Sequence, residues 1–316
     1  MTTALRKRLY FAGLQQRTEI WRSGFAELAP EIEIVTPQEA GSDRHGIPYC
    51  LAWKPQAGEL AALPDLRAVF SIGAGVDTIL ADPGIPAHLP IIRMVDPNLT
   101  KGMVSYVLWQ VLYHHRRIWE IEDAQRRGEW LDQIYPAPGD RTVAIMGLGE
   151  IGLAAIEHLA RFKFNLRGWS RSRKTVEGAD CFAGLEELPA FLTGCDILVC
   201  LLPLTPETRG LLNADLFAHL PAGAAVINGG RGGQLNEADL LAAMQSGRIG
   251  SATLDVFQKE PLPADHPFWR QPRLFMTPHI ASITDPRVAV LTIRQQIADL
   301  EAGLPLQHLV DRKLGY

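Results

Sequence analysis

The chain has 316 residues, of which 47% are hydrophobic and 21% are charged, and its formal net charge is −4. This length and composition are typical of about two folded domains rather than of a disordered chain. The negative charge offers no overall attraction to nucleic acid or to an anionic membrane, and no apolar stretch is long enough to span a bilayer. We therefore expect a cytoplasmic protein with neither partner.

Strand-like and helix-like segments alternate through the first hundred residues. Apolar strand-like runs lie at 9–13, 32–35, 50–53, 68–75 and 91–95. Helix-like segments lie between them at 18–30 and 58–66. This alternation is typical of a parallel α/β sheet.

The stretch Thr100 to Trp130 contains no proline and has apolar residues at helical spacing, which predicts one long helix. Its large apolar side chains are more numerous than one domain contact requires, which favours a homodimer surface. They are Val104, Leu108, Val111, Leu112, Ile118 and Trp119.

A second alternating series has strand-like runs at 142–149, 164–169, 195–202, 223–229, 250–256 and 274–280. This is the pattern of a dinucleotide-binding domain. The segment 285–305 predicts a last helix that packs back on the first domain. The sequence thus predicts an α/β fold with two Rossmann-like or flavodoxin-like domains, each with a doubly wound parallel sheet, and a cleft between them. Residues 1–98 and 282–316 form the substrate-binding domain, and 99–281 form the NADP-binding Rossmann domain.

The four cysteines form neither a CxxC pair nor a zinc-type cluster, so we expect reduced, mostly buried thiols and no metal site. They are Cys50, Cys181, Cys195 and Cys200.

A glycine-rich motif follows the apolar run 143–146 and precedes a helix-like segment, which is the context that a GxGxxG fingerprint requires. Its first glycine permits a tight turn, its second lets a pyrophosphate approach the backbone, and its third lets helix and strand pack closely. The alternative is an ordinary glycine turn. The motif consists of Gly147, Leu148, Gly149, Glu150, Ile151 and Gly152.

About twenty residues past the first glycine, NAD-dependent enzymes offer a carboxylate to the ribose 2′-hydroxyl. This chain has no acid there and instead presents Ser170, Arg171, Ser172, Arg173 and Lys174. Cations and hydroxyl groups suit a 2′-phosphate, which favours NADP(H) over NAD(H), with Arg171 as the strongest candidate. The alternative is a solvated basic loop.

Three short segments then occur in a fixed order at 228–233, 254–261 and 277–280. With these segments and GxGxxG, the chain resembles the D-isomer-specific 2-hydroxyacid dehydrogenases over essentially its full length, most closely the glyoxylate/hydroxypyruvate reductase A group. The resemblance is densest at 73–77, 169–174, 202–208, 254–263 and 277–284. It implies that Arg231 binds substrate, that His279 transfers a proton and that Glu260 orients His279.

The chemistry of these three residue types agrees with those roles. Imidazole exchanges a proton near neutral pH, and a paired carboxylate stabilises its charged form. A guanidinium group can bind a carboxylate and polarise a carbonyl oxygen. Taken singly, Arg231 is typical of a surface loop, Glu260 of a turn boundary and His279 of a cap or a core position.

The resemblance implies further contacts. Ala74, Gly75 and Val76 would offer backbone amides to the substrate carboxylate, and Trp53 would line the pocket, although a plain tight turn and core packing are the alternatives. Where many relatives have an acidic residue, this chain has Ser105. The remaining cofactor contacts implied are Met103, Leu202, Pro203, Gly229, Gly230, Arg231, Asp255, His279 and Ala281.

The function expected is NADPH-dependent reduction of a small 2-oxo acid, such as glyoxylate to glycolate or hydroxypyruvate to D-glycerate, with His279 as the proton donor. One alternative is a dehydrogenase for another 2-hydroxy acid, for formate or for phosphoglycerate. Relatives that act on formate have a glutamine where this chain has Glu260. A second alternative is a binding protein that senses dinucleotides without catalysis.

Overall fold

In the computed structural model, which describes residues 6–13, 15–313 and 315, the strands assemble into two parallel sheets. Each sheet lies in a compact unit of its own. One unit comprises the residues before Thr100 and after Ser282, and the other is Thr100–Ser282. The predicted boundaries at 98/99 and 281/282 lie one residue away from these divisions.

The first unit has a five-stranded sheet with the order β2-β1-β3-β4-β5, and all pairs are parallel. Buried apolar side chains pack on both of its faces, because both are covered by helices and loops. The strands are β1 Lys7–Ala12, β2 Ile32–Val35, β3 Tyr49–Ala52, β4 Ala68–Ser71 and β5 Ile91–Ile92. The helices between them are α1 Thr18–Leu28, α2 Pro37–Ala40 and α3 Asp77–Leu80.

The second unit contains six helices and a seven-stranded parallel sheet with the order β12-β11-β10-β9-β6-β7-β8. The helices are α4 Pro97–His115, which begins just before the unit, α5 Ile118–Arg126, α6 Glu150–Ala160, α7 Leu188–Leu192, α8 Ala214–His219 and α9 Glu237–Gln245. The strands are β6 Thr142–Met146, β7 Asn165–Ser170, β8 Asp180–Ala183, β9 Ile197–Cys200, β10 Ala224–Asn228, β11 Ile249–Leu254 and β12 Leu274–Met276.

The strand order reverses between β6 and β9. Met146 at the end of β6 is in register with Cys200 at the end of β9, so the loops that follow them start side by side. In open α/β sheets, ligands bind beyond the carboxyl ends of the strands at such a switch point. The predicted fold class, two α/β units with doubly wound parallel sheets, is therefore confirmed.

The predicted C-terminal helix is α10, Pro286–Glu301, and it packs on α1 within the first unit. The carboxylate of Asp285 caps its first turn, and Pro286 occupies the first helical position, where its missing amide costs nothing. Val290 and Ile293 of α10 join the buried cluster that contains Trp21 of α1.

The prediction of one helix from Thr100 to Trp130 is wrong. The chain leaves the helical conformation at Arg117, which has φ 49° and ψ 46°, so α4 and α5 are separate. An ion pair with Glu120 and a cation–π contact with Trp119 hold Arg117 there, while α5 ends before Gly128, whose φ is +69°.

Most of the apolar residues predicted for a dimer surface serve the core of their own unit. Val104 and Val111 are buried, and Leu108 and Leu112 pack against the buried cluster around β6 and β9. No helix in the described ranges combines the length and apolar character needed to cross a membrane.

Two smaller predictions also differ from the structure. Residues 58–66 form consecutive turns rather than a helix, and the short strand β8 was not predicted. Pro64 and the glycine at 58 limit helix length in the first case. Strand β8 lies at the edge of its sheet and its side chains are mostly half-buried, so its sequence lacks a strong apolar pattern.

The cysteines agree with the prediction of reduced thiols, since all four are free. Cys50, Cys195 and Cys200 are buried, whereas Cys181 is partly exposed. Burial raises the pKa of the Cys195 and Cys200 thiols to about 12, which makes both unreactive at neutral pH.

Candidate active site

His279 and Glu260 form the candidate acid–base pair. Nδ1 of His279 lies 2.8 Å from Oε2 of Glu260, and both side chains are less than one-fifth exposed. The second oxygen of Glu260 accepts a hydrogen bond from the amide of Phe257 at 2.9 Å, which fixes the carboxylate plane. An ionised carboxylate is an acceptor, so Nδ1 donates the proton. The ring nitrogen that Glu260 does not engage, Nε2, is the one that can exchange a proton with a substrate.

A short turn after β12 carries His279, which has φ 55°, a value that costs a non-glycine residue about 1 kcal/mol or more. The surroundings fix this conformation. The amide of His279 donates to the carbonyl oxygen of Asp255 at 2.8 Å. The carboxylate of Asp255 accepts from the amides of Ile280 and Ala281 at 2.9 and 3.1 Å, and from the hydroxyl of Thr277 at 2.7 Å.

Arg231 follows β10, and its loop packs backbone against backbone on the segment that leads to Glu260. A Cβ atom at Gly232 would lie 1.9 Å from the carbonyl carbon of Phe257, so only glycine permits this approach. The guanidinium Nη1 of Arg231 donates to the carbonyl oxygen of Gly230 at 2.8 Å. The amide side chain of Asn228 bonds to both ends of the turn, accepting from the amide of Gly230 and donating to the carbonyl oxygen of Arg231.

Gln234 is a site-shaping residue that sequence reasoning missed. Its side chain is fully buried; Oε1 accepts from the amide of Arg231 at 2.9 Å, and Nε2 donates to the carbonyl oxygens of Leu202 and Pro203 at 2.7 and 3.1 Å. It therefore ties the loop after β9 to the loop after β10. The only signal in the sequence is a glutamine three residues after the arginine, which by itself indicates nothing.

The glycine-rich loop has the geometry that its motif predicts. Gly147 has φ +108°, and a Cβ atom at Gly152 would lie 1.9 Å from the carbonyl oxygen of Gly147, so neither position accepts a side chain. A Cβ atom at Gly149 would meet nothing within 4 Å. That open side, at the start of α6, fits a pyrophosphate that must approach the backbone and the helix N-terminus.

The basic stretch after β7 divides its cations between different partners. Arg173 forms an ion pair with Glu187, while Nζ of Lys174 donates to the carbonyl oxygen of Leu148, in the glycine-rich loop, at 2.6 Å. Ser170 bonds within the stretch, to the carbonyl oxygen of Ser172.

Arg171 is exposed. The pKa of the Glu207 carboxyl is lowered by the Thr205 hydroxyl and, less strongly, by Arg171. The stretch thus brings Lys174 to the glycine-rich loop and directs Arg173 to Glu187.

Residues 108–281 match the profile of the D-isomer specific 2-hydroxyacid dehydrogenase, NAD binding domain. The chain belongs to this dehydrogenase family. The predicted resemblance is thus confirmed, the chain is an oxidoreductase, and its cofactor is a nicotinamide dinucleotide.

Similar proteins cover nearly the whole chain. A glyoxylate/hydroxypyruvate reductase A from Serratia proteamaculans is 44% identical over 303 residues, which cover 94% of this chain and 96% of that protein. A family member from Xanthobacter autotrophicus Py2, solved with NADPH and MES, has a TM-score of 0.90 and 43% identity, with 98% of this chain and 100% of that chain covered.

A third similar protein is the NADPH-dependent glyoxylate/hydroxypyruvate reductase from Sinorhizobium meliloti, solved with NADP and sulfate. Its TM-score is 0.92 and its identity 40%, and the match covers 98% of this chain and 100% of that chain.

Within the dehydrogenase's second unit, the other residues predicted for the cofactor lie at the same edge of the sheet. Met103 is buried, and its Cε would lie 3.3 Å from a Cβ atom at Gly229. Leu202 and Ala281 are buried, and Pro203 is half-buried. Ser105, in contrast, is exposed and donates to the carbonyl oxygen of Gly102 on its own helix.

In the first unit, the predicted substrate loop is shaped by Ser71. The hydroxyl of this buried serine lies 2.8 and 3.2 Å from the carbonyl oxygens of Gly73 and Gly75, and turns both toward the sheet. Among the described residues, none accepts a hydrogen bond from the amides of 74–76. The ring of Trp53 lies against the loop, because a Cβ atom at Gly73 would be 2.6 Å from its Cζ3.

Proposed function

We propose that the dehydrogenase reduces small 2-oxo acids with NADPH, and that His279 donates the proton that the carbonyl oxygen receives. The observation that carries this proposal is the hydrogen bond between Nδ1 of His279 and Glu260. It fixes the tautomer and the orientation of the ring, and a carboxylate at that distance stabilises the imidazolium form that must lose a proton during reduction. The bound dinucleotide supplies the hydride.

Arg231 supplies the positive charge in this proposal. A 2-oxo acid carries a carboxylate beside its reactive carbonyl, and negative charge develops on the carbonyl oxygen as hydride is added. A planar guanidinium group can bind the first and stabilise the second, which a lysine ammonium does less well. The bonds around Gln234 and Gly230 hold the backbone and the side chain of Arg231 in place.

The first unit contains a loop whose backbone suits a carboxylate. With the carbonyl groups of Gly73 and Gly75 turned toward Ser71, the amides of Ala74, Gly75 and Val76 form a small anion-binding nest. A carboxylate is the anion that such a loop accepts. Trp53 beside it limits the size of the substrate, in keeping with a small 2-oxo acid.

The choice of substrate and cofactor is supported by the similar proteins and by Arg171. One relative is named an NADPH-dependent glyoxylate/hydroxypyruvate reductase. At the position where NAD-dependent enzymes offer a carboxylate, this chain offers Arg171 and Lys174. The proposed reactions are therefore glyoxylate to glycolate and hydroxypyruvate to D-glycerate.

The proposed enzyme is a homodimer. Residues 130–136 follow α5 as an extended stretch that makes no hydrogen bond to other residues in the described part of the chain. Two large apolar side chains in it, Trp130 and Ile134, are 96% and 95% exposed. A second copy that buries them removes an apolar surface that a monomer would leave in water.

Light scattering tests the dimer. Trp130→Ser with Ile134→Ser should shift the protein toward monomer, whereas Ile20→Ser, which replaces an exposed isoleucine of the first unit, should leave the dimer intact. A monomeric unmodified protein would refute the dimer.

The experiment that tests the reaction is an assay of NADPH and NADH oxidation by the purified protein. Glyoxylate, hydroxypyruvate, pyruvate and 3-phosphohydroxypyruvate are supplied in parallel at neutral pH. The proposal predicts fastest turnover of the first two with NADPH. Tight binding of NADPH without turnover of any of the four would contradict the proposal and favour a dinucleotide-sensing protein.

A further inference from the structure

A buried chain of hydroxyl groups leads from α4 to the turn that carries His279. The hydroxyl of Tyr106 lies 2.7 Å from Oγ1 of Thr277, and Oγ1 lies 2.7 Å from Oδ1 of Asp255. All three side chains are buried. Tyr106 and Thr277 are 171 positions apart in the sequence, so only the folded unit brings them together.

The direction of the hydrogen bonds in this chain is fixed by chemistry. An ionised carboxylate only accepts, so the single hydroxyl proton of Thr277 points to Asp255. Tyr106 must then donate its own proton to Thr277. Burial is the main cause that raises the pKa of the Tyr106 hydroxyl above its usual value, so this proton is retained at neutral pH.

Asp255 connects the hydroxyl groups of Tyr106 and Thr277 to the turn that positions His279. Its side chain is 2% exposed, and a charge so buried requires hydrogen-bond donors. One donor is the hydroxyl of Thr277, which precedes His279 in the sequence. The other two are the amides of Ile280 and Ala281, which follow it. A carboxylate that lost the hydroxyl donor would shift toward other partners, and the turn would shift with it.

Resting on the function proposed above, we infer that Tyr106 and Thr277 are positioning residues for His279. They keep the Asp255 carboxylate in one orientation. In that orientation it holds His279 at φ 55°, and Nδ1 of His279 can hydrogen-bond to Glu260. In the described residues, neither side chain hydrogen-bonds to His279; their hydrogen bonds lead to Asp255, so we infer that both act through it. A displacement of a proton donor by about 1 Å can cost about 100-fold in rate.

Three variants test this inference. Tyr106→Phe removes the first donor, Thr277→Val removes the second at nearly constant volume, and Thr277→Ser keeps the hydroxyl. We expect kcat to fall about 10-fold in the first and about 30-fold in the second, with Thr277→Ser within about 3-fold of the unmodified protein. The KM for hydroxypyruvate should stay within about twofold throughout.

The matched control is Tyr113→Phe. Tyr113 lies on the same helix and is about equally buried, but its hydroxyl donates a hydrogen bond to Glu122 and not to Thr277. Its variant should keep kcat within about twofold. A general loosening of α4 would lower kcat in both tyrosine variants, whereas the positioning role predicts a loss in Tyr106→Phe alone.

A double variant gives the sharpest readout. Because Tyr106 acts only through the hydroxyl of Thr277, adding Tyr106→Phe to Thr277→Val should cause almost no further loss of kcat. Losses that multiply in full would overturn the inference, as would an unchanged kcat in Tyr106→Phe. An unmodified protein without turnover would refute the proposed function itself; an active one with unaffected variants would refute only the positioning role.

Discussion

The second unit contains two histidine–glutamate pairs that are almost the same by distance and burial. His279 lies 2.8 Å from Glu260, and His266 lies 3.3 Å from Glu237; in each pair the histidine side chain is 19% exposed and the glutamate 17%. Chemistry alone does not separate them. Only the pair of His279 and Glu260 lies beyond the carboxyl ends of the strands, where ligands bind in open α/β sheets.

The difference lies in what surrounds each ring. His266 uses both nitrogens locally: Nε2 faces Glu237, and Nδ1 accepts from the amide of Phe268 at the start of a short 3-10 helix. The second oxygen of Glu237 accepts from the amide of Gln258. This pair ties together the loop that contains Glu260. His279 instead follows β12 at the carboxyl edge of the sheet, in a strained turn held by Asp255. A histidine–glutamate pair indicates catalysis only through its position.

The largest predicted effect is that of His279→Ala. Without the proton donor, we expect kcat to fall between about 100-fold and 10,000-fold, while NADPH binding, measured by fluorescence, is retained. His266→Ala should keep kcat within about threefold and lower the free energy of unfolding by about 1 kcal/mol. Near-normal turnover in His279→Ala, or equal losses in both variants, would remove the distinction between the pairs.

The two glutamates should differ in the same way. Glu260→Gln keeps the shape of the side chain but removes the charge that stabilises the imidazolium ion, so we expect kcat to fall about 10- to 100-fold. Glu237→Gln should change kcat by less than about threefold, since that carboxylate serves packing. Steady-state kinetics with hydroxypyruvate measures both. A Glu237→Gln variant as impaired as Glu260→Gln would contradict the account.

An effect of similar size, but confined to the use of NADPH, is expected from the cations of the basic stretch. Arg171→Gln should lower kcat/KM for NADPH about 10- to 100-fold and that for NADH less than about threefold, because a charge-assisted bond to the 2′-phosphate is lost. Arg173→Gln is the matched control, since Arg173 pairs with Glu187. Equal losses with both cofactors in Arg171→Gln would refute recognition of the phosphate.

The smallest effect is expected in the first unit. Ser71→Ala removes the hydroxyl that holds the carbonyl groups of Gly73 and Gly75, and a looser substrate loop should raise the KM for glyoxylate about 3-fold. We expect kcat to change less than KM, because this loop binds the substrate without transferring a proton. The outcome that counts against this is an unchanged KM with a lowered kcat.

The fold could be predicted where burial imposes a pattern. Strands β6 and β9, inside the second sheet, are buried on both faces and read as continuous apolar runs. The break at Arg117 could not be predicted, because no glycine or proline marks it and its contacts with Glu120 and Trp119 exist only after folding. The edge strand β8 has too few buried residues to stand out.

The candidate site could be predicted where residues fall in short motifs that keep their order. Arg231, Glu260 and His279 were named in this way, and the structure brings His279 and Glu260 into hydrogen-bonding distance. Gln234 and Tyr106 were missed, because each acts through a partner that is distant in the sequence. A buried amide or hydroxyl group reveals such a role only when its acceptors are known.

The most direct test of the central claim is the fate of the hydride. Hydroxypyruvate is incubated with the protein and with NADPH carrying deuterium at both C4 positions of the nicotinamide, and the product is analysed by mass spectrometry and chiral chromatography. The account predicts D-glycerate with one deuterium, at C2, and a rate of formation that falls at least about 100-fold in His279→Ala. A protein that binds NADPH but forms no deuterated hydroxy acid, or a His279→Ala variant that forms it at the normal rate, would contradict it.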